Sequence, residues 1–184
     1  MARLRDTTIT RETMLAAAFE LLDEAGLDGV TMRGLAGRLG VQAPALYWHV
    51  ADKAELLALM AAALYEESRE RLDRATDPRT WLVARGEGLA RAIAGHRDGA
   101  RLLAVGGAPG RPDTAMAEAI AAPLVRFGMS REDALEAQAA VLSLTLGWAV
   151  YRENADMAAF LTGMFDLDAS FSRGLRVLVD GLVA

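Results

Sequence analysis

Cysteine is absent from this 184-residue chain. That excludes a disulfide framework, thiolate chemistry and a cysteine-ligated zinc site. Histidine occurs only as His49 and His96, with no paired-histidine metal spacing. No nucleophile–base pair and no GxGxxG phosphate cradle is visible, so no enzyme is expected. No apolar run approaches the ~18 residues of a membrane-spanning helix. The opening MARLRDTTITRE lacks the apolar core of a signal peptide, and cytoplasm is the expected compartment. Lysine occurs once, as Lys53. The net charge of −5 argues against a non-specific coat for nucleic acid, which is normally basic. It leaves room for a specific DNA reader, which needs only a few cations at its contact face. Arg3, Arg5, Arg11, Arg33, Arg38 and Lys53 all fall in the first third of the chain.

Apolar residues, in contrast, make up 53% of the chain. Such an excess calls for a large buried surface, and a dimer interface is the obvious sink. The length suits one small and one medium helical domain.

The most informative stretch is 31–53, TMRGLAGRLGVQAPALYWHVADK. Thr31 is a helix N-cap, and Met32, Leu35, Ala36 and Leu39 share one helical face. Gly40 supplies a sharp break, because it takes positive φ without a Cβ clash. Pro44 fits the first turn of a second helix. Of Ala45, Leu46, Tyr47, Trp48 and His49, only Leu46 looks obligately buried. Three consecutive bulky residues cannot all point inward on one short helix. A DNA major groove gives the outward ones a purpose: such a second helix enters the groove, and Tyr47 and His49 can bond phosphates. Lys53, behind an Asp52 cap, can clamp a phosphate with the free N–H groups of the next helix.

The run TMRGLAGRLGVQAPALYWHVADKAELL resembles the DNA-binding domain of the TetR family of bacterial repressors, close to its tetracycline-repressor branch. HRDGARLL at 96–103, MSREDALEAQAAVLSLTLG at 129–147 and FSRGLRVLVDGLV at 171–183 are similar to that branch's regulatory domain, in the same order. The resemblance implies an all-α fold. Residues 1–53 would form the helix-turn-helix domain, and 54–184 the ligand-binding and dimerisation domain. It also implies a ligand-responsive repressor that binds double-stranded operator DNA as a homodimer. The alternatives are a constitutive DNA-binding protein with a purely structural core, or a small-molecule-binding protein with vestigial DNA binding.

Taken in order, residues 1–8 form an arm to DNA or a frayed terminus. Helix one runs from Thr10 to about Ala25 with Leu15, Phe19 and Leu22 as its apolar stripe, and Gly26 ends it. These pack with Leu35, Leu39, Leu46 and Leu56. Helix four is expected from about Asp52 to Ala75, a long lever joining the domains. Asp77 and Pro78 open the next helix. The His96-Arg97-Asp98 cluster reads as a helix-capping turn with a salt bridge, not a catalytic group. Residues 104–114, AVGGAPGRPDT, form a loop, either a ligand gate or a passive linker. Helices follow at about 115–127, with Pro123 kinking it or marking its late end, at about 131–154, and at about 169–183. The last two, with Leu146, Phe171, Leu175, Leu178 and Leu182, are expected to form a four-helix bundle across a two-fold axis. Between them, Met157, Phe160, Leu161, Met164 and Phe165 are core filler or one wall of a ligand pocket.

Departures from the tetracycline-repressor branch define the expected chemistry. Leu103 stands where that branch has a magnesium-ligating histidine. Tyr151 replaces a glutamate of the metal shell, and Arg69 a drug-anchoring histidine. Hard cations need oxygen ligands, so no metal, no cofactor and no response to magnesium-tetracycline are expected. The effector should be a largely apolar small molecule. Its pocket candidates are Trp81, Arg85, Leu89, Leu103, Ala117, Ile120, Leu135, Ala139, Leu142, Trp148, Tyr151, Phe160 and Met164. Arg85 takes a ligand-contacting amide position, which opens the way to an anionic group on the ligand. On the DNA side, Thr31, Arg33, Pro44, Tyr47, Trp48, His49 and Lys53 are expected contacts, with Arg33 a guanine reader. Ala43 and Ala45 replace a base-reading glutamine and threonine, which alters the operator sequence. Gln42 is either a substitute base contact or a solvated turn residue.

Overall fold

A computed structural model describes residues 9–69, 72–107 and 114–184. Arg3, Arg5 and most of the glycine- and proline-rich loop lie outside the described residues. Among those described there are ten α-helices, one 3-10 turn at Leu72–Arg74 and no strand. No described helix is long and apolar enough to cross a membrane. The chain divides into two compact units. The described parts of Met1–Ala62 and His96–Pro109 form one, and those of Ala63–Gly95 and Gly110–Ala184 form the other. A single cut near residue 53 therefore does not describe the packing. The helix after it continues to Ala62 within the first unit, and a later segment, starting at His96, joins that unit too.

In the first unit, α1 (Arg11–Gly29) starts at a Thr10–Thr13 capping box. It breaks at Gly26, whose φ is +72°. A Cβ there would lie 2.7 Å from Asp98 Oδ2, so glycine answers both the left-handed backbone and the close approach. The buried stripe of α1 is Met14, Ala17, Ala18 and Leu22. Leu15 and Phe19, expected in the core, are half-buried, because the helix is turned about one residue from the expected face. Phe19 instead stacks on His96, with centroids 4.4 Å apart. Then come α2 (Met32–Leu39), α3 (Ala43–Leu46) and α4 (Lys53–Glu67). Leu35, Leu46, Leu56, Met60 and Val50 close the core, while Leu39 stays half-buried.

The long fourth helix expected to reach Ala75 stops at Glu67. Two bonds close its last turn, one local and one tertiary. Ser68 Oγ donates to the Tyr65 carbonyl (2.6 Å), and the Arg85 guanidinium donates to that carbonyl as well (3.2 Å). The last turn is capped by a neighbour that sequence periodicity does not reveal.

The first unit is completed by α6 (Gly99–Gly106), which reaches into the expected 104–114 loop. Asp98 is the N-cap residue of α6, but its side chain makes no capping bond there. Its Oδ2 accepts the Leu27 N–H (2.8 Å), just past the Gly26 break. His96 Nδ1 pairs with Asp23 (3.1 Å), and Arg97 Nη1 donates to the Glu24 carbonyl (3.0 Å). Arg101 holds Asp28 through both carboxylate oxygens (2.9 and 3.1 Å).

The second unit contains α5 (Pro78–Ala94), α7 (Thr114–Val125), α8 (Arg131–Glu153), α9 (Ala155–Thr162) and α10 (Leu167–Leu182). Asp77 caps α5 by accepting Thr80 N–H (2.8 Å). Pro123 sits in the last turn of α7, which ends two residues later at Val125; without an N–H it cannot donate to the carbonyl four residues back. The core gathers Trp81, Leu82, Leu124, Ala134, Ala137, Val141, Phe171, Leu175 and Val179. This corrects the expected interface. Leu175 is 0% and Phe171 5% exposed within their own chain, so neither is free to meet a second copy. Leu178 and Leu182 pack against the same cluster, and Leu146 is half-buried. Apolar periodicity marks these positions as buried without saying by which chain.

Leu175→Ala should therefore cost about 2–5 kcal/mol, the ordinary range for a sealed leucine. A urea titration tests this. The loss should not depend on protein concentration, whereas an interface leucine would give a concentration-dependent one.

Candidate nucleic-acid interface

The two-helix segment is fixed by local bonds. Thr31 is extended and its hydroxyl accepts the Gly34 N–H (3.0 Å). Gly40 ends α2 in the left-handed region (φ +69°), donating back to Ala36 and Gly37. With Val41 N–H also on the Ala36 carbonyl (3.0 Å), the chain turns tightly into α3. Pro44 lies at the start of α3, where its missing N–H has no intrahelical partner to lose. The helix is shorter than expected, ending at Leu46. Residues 47–49 form a turn, with His49 and Val50 N–H both on the Leu46 carbonyl (2.8 and 3.0 Å). Asp52 Oδ1 then accepts Glu55 N–H (2.8 Å), and Glu55 reaches back to Ala51 N–H (2.6 Å). These two bonds start α4.

Leu46 is 0% exposed and anchors the turn. Trp48, two residues on, is 90% exposed and Tyr47 is 55% exposed. His49, Gln42, Pro44, Arg33 and Thr31 are exposed, and Ala43 and Ala45 half-buried. Among the described residues, the side chains of Arg33, Gln42, Tyr47, Trp48 and His49 make no hydrogen bond or ion pair with the protein. An indole left in water, beside a phenol, an imidazole, an amide and a guanidinium with no internal task, marks a contact surface.

Two of the early cations are engaged elsewhere. Arg38 pairs with Glu20 (3.0 Å) and with Glu24 through both guanidinium ends. These carboxylates hold it firmly protonated. Lys53 is half-buried, and its Nζ lies 3.4 Å from the Leu27 carbonyl. It ties the end of α1 to the start of α4, a role that sequence reasoning missed.

The pocket candidates are scattered in exposure. Leu103 belongs to the first unit and is buried; the others belong to the second. There Trp81 and Leu89 are buried, and Arg85, Ala117, Leu135, Leu142 and Trp148 half-buried. Ile120, Ala139, Tyr151, Phe160 and Met164 are exposed in the single chain. Trp148 centres an aromatic cluster, edge-on to Tyr151 (6.4 Å), Phe165 (6.3 Å) and Phe171 (6.4 Å). An open groove of about 600 Å³ lies beside it, lined by Arg152, Phe165 and Leu167 among others. Of its lining residues only Phe165 belongs to the stretch read as one wall of a ligand pocket, and none is among the individually named pocket candidates.

Residues 14–60 match the model of the bacterial regulatory proteins of the tetR family. The tetracycline repressor class A from transposon 1721 of Escherichia coli is 37% identical over 96% of this chain and 91% of its own length. The chain belongs to the TetR family. Its fold is also that of solved members. A TetR variant from Acinetobacter baumannii AYE, in complex with minocycline, superposes with a TM-score of 0.77 at 36% identity, covering 94% of this chain and 96% of the other. BioQ with its double-stranded DNA operator superposes at 0.68 with 31% identity, covering 95% and 98%. The segment matched by the family model contains the whole turn and its exposed aromatic residues.

Trp48→Ala should leave folding stability within about 0.5 kcal/mol of wild type, as an exposed side chain without partners. Leu46→Ala should cost about 2–5 kcal/mol. Thermal melts of the two variants side by side check the division between contact surface and anchor.

Proposed function

We propose that the chain is a homodimeric, ligand-responsive transcriptional repressor that reads a near-palindromic operator and acts in the cytoplasm. The observation that carries this is the 90% exposed Trp48 beside free Tyr47, His49, Gln42 and Arg33 on one helix-turn-helix. Residues 1–53 supply the reader. Arg33 takes the guanine-reading role, and Tyr47 and His49 hold phosphates. Gln42, whose side chain does not cap α3, is free for an adenine edge. Thr31, Pro44, Ala43 and Ala45 set the close approach. Lys53 acts mainly by fixing α1 to α4. BioQ, solved with its operator, supports DNA as the partner.

Residues 54–184 supply regulation and dimerisation, through α8 and α10 but with faces different from those expected. On α8, Ala139, Gly147 and Val150 are exposed; on α10, Val177 and Gly181 are. Val177 is 68% exposed. A Cβ added at Gly147, Gly174 or Gly181 would meet nothing within 4 Å. These small positions let helices of a second copy approach closely, with Leu146, Leu178 and Leu182 at their margins.

The minocycline complex supports a small-molecule effector in this fold. Leu103 and Tyr151 offer no carboxylate, so magnesium-tetracycline is not that effector. An effector acts only as far as it prefers the dimer whose two readers are spaced wrongly for DNA.

Fluorescence anisotropy on DNA from the gene's upstream region, at fixed salt, tests the reader. Tight saturable binding is expected. Trp48→Ala and Arg33→Ala should each weaken it by about 10- to 100-fold, and Arg33→Ala should also relax base preference at one position. Equal affinity of wild type and both variants for operator and scrambled DNA refutes the proposal. Val177→Asp should shift sedimentation toward monomer and weaken operator binding while the fold persists. A variant that stays dimeric places the interface elsewhere.

A further inference from the structure

The arginine and lysine side chains of the helix-turn-helix unit are nearly all engaged within it. Among its described residues carboxylates outnumber these cations, eight to six. Arg38 holds Glu20 and Glu24, and Arg101 holds Asp28. Arg97 and Lys53 reach the backbone carbonyls of Glu24 and Leu27. Arg11 and Arg33 alone are held by neither a carboxylate nor a carbonyl among the described residues.

The charge beside the exposed aromatic turn does not attract phosphate either. Asp52 and Glu55 follow that turn directly, and both are exposed. They accept the Glu55 and Ala51 N–H groups, and neither pairs with a cation among the described residues. Neutral donors, by contrast, are plentiful. The side chains of Gln42, Tyr47 and Trp48 make no hydrogen bond with the described protein. The Lys53 and Ala54 N–H groups at the start of α4 make none either, and such groups can accept a phosphate oxygen as partner.

These two kinds of group do different work on DNA. Cations displace condensed counterions, and that release supplies essentially all sequence-independent affinity. Neutral donors hold a phosphate only where the duplex lies in register, so they position rather than attract. We propose that this unit holds operator phosphates chiefly through neutral donors, with at most Arg11 and Arg33 of each copy displacing counterions. The proposal rests on the operator-binding function above and defines its partner more narrowly. That partner is a duplex whose shape and base edges fit the surface. Bulk DNA finds almost no ionic grip there, and operator binding tolerates salt.

The test is the salt dependence of binding, by fluorescence anisotropy at fixed pH. The DNA is the tightest fragment from a genomic selection, beside a scrambled duplex of equal length. The full chain carries Arg3→Gln and Arg5→Gln, so that the slope reports the described unit alone. Four displacing cations in a dimer predict a slope of log affinity against log salt no steeper than about −4. That is a loss of roughly 100-fold between about 50 and 200 mM salt, where six to ten phosphate contacts lose roughly 10³- to 10⁵-fold. Adding Arg38→Gln should leave the slope unchanged, since that guanidinium is already paired with carboxylates. A steeper slope, or one that Arg38→Gln flattens, overturns the proposal. Should the Arg38→Gln protein not fold, the slope of its parent alone decides. Tight selective binding with a steep slope removes this inference and leaves the operator reader standing. Equal affinity for the selected and scrambled duplexes removes the reader, and this inference with it.

Discussion

The carboxylate of Asp98 receives the Leu27 N–H at 2.8 Å, across 71 positions of sequence. That bond is possible because Gly26 breaks α1 with a left-handed backbone and presents no Cβ to the approaching oxygen. Around it, His96, Arg97 and Arg101 fasten Asp23, Glu24 and Asp28. The consequence is topological. A segment that follows α5 in the chain becomes part of the unit holding the helix-turn-helix. The helix-turn-helix unit is therefore built on two pieces of chain, and its first helix is held at its end by residues that follow α5 in sequence.

The rest of the reader obeys a simpler constraint. Gly40 and Leu46 fix the backbone, one by accepting positive φ and the other by complete burial. With the backbone fixed, the residues between and beyond have no internal work. Trp48 is the extreme case, an apolar side chain held in water by its neighbours' burial. The hydrophobic effect penalises that arrangement in a lone chain, which is why a partner surface is proposed for it.

Much of this was legible in the sequence where the physics is local. Thr31, Gly40 and Pro44 announce a cap, a break and a helix start through their own backbone preferences, and each does that work. The outward aromatics were legible because three consecutive residues cannot share one helical face. Features decided by distant partners were not. Leu15 and Phe19 have the same helical spacing as Met14, Ala18 and Leu22, and only the packing partner selects between the two faces. The charged stretch after Glu67 favours helix by propensity, yet Arg85, from α5, bonds the Tyr65 carbonyl at the end of α4. Phe171 and Leu175 look identical to interface residues because burial within a chain and between chains demand the same apolar side chains. The His96-Arg97-Asp98 cluster read as a helix-capping turn with a salt bridge, but that its side chains reach α1, at Asp23, Glu24 and Leu27, was not legible.

In the proposed complex, two copies of this chain place their α3 segments in successive major grooves. Hydroxyl-radical footprinting of the selected operator, with guanine N7 methylation interference, measures this directly. The account predicts two symmetric protected patches about one helical turn apart, roughly 10 base pairs between centres, with interference at guanines in both. A single protected patch, or protection confined to the minor groove, would contradict it.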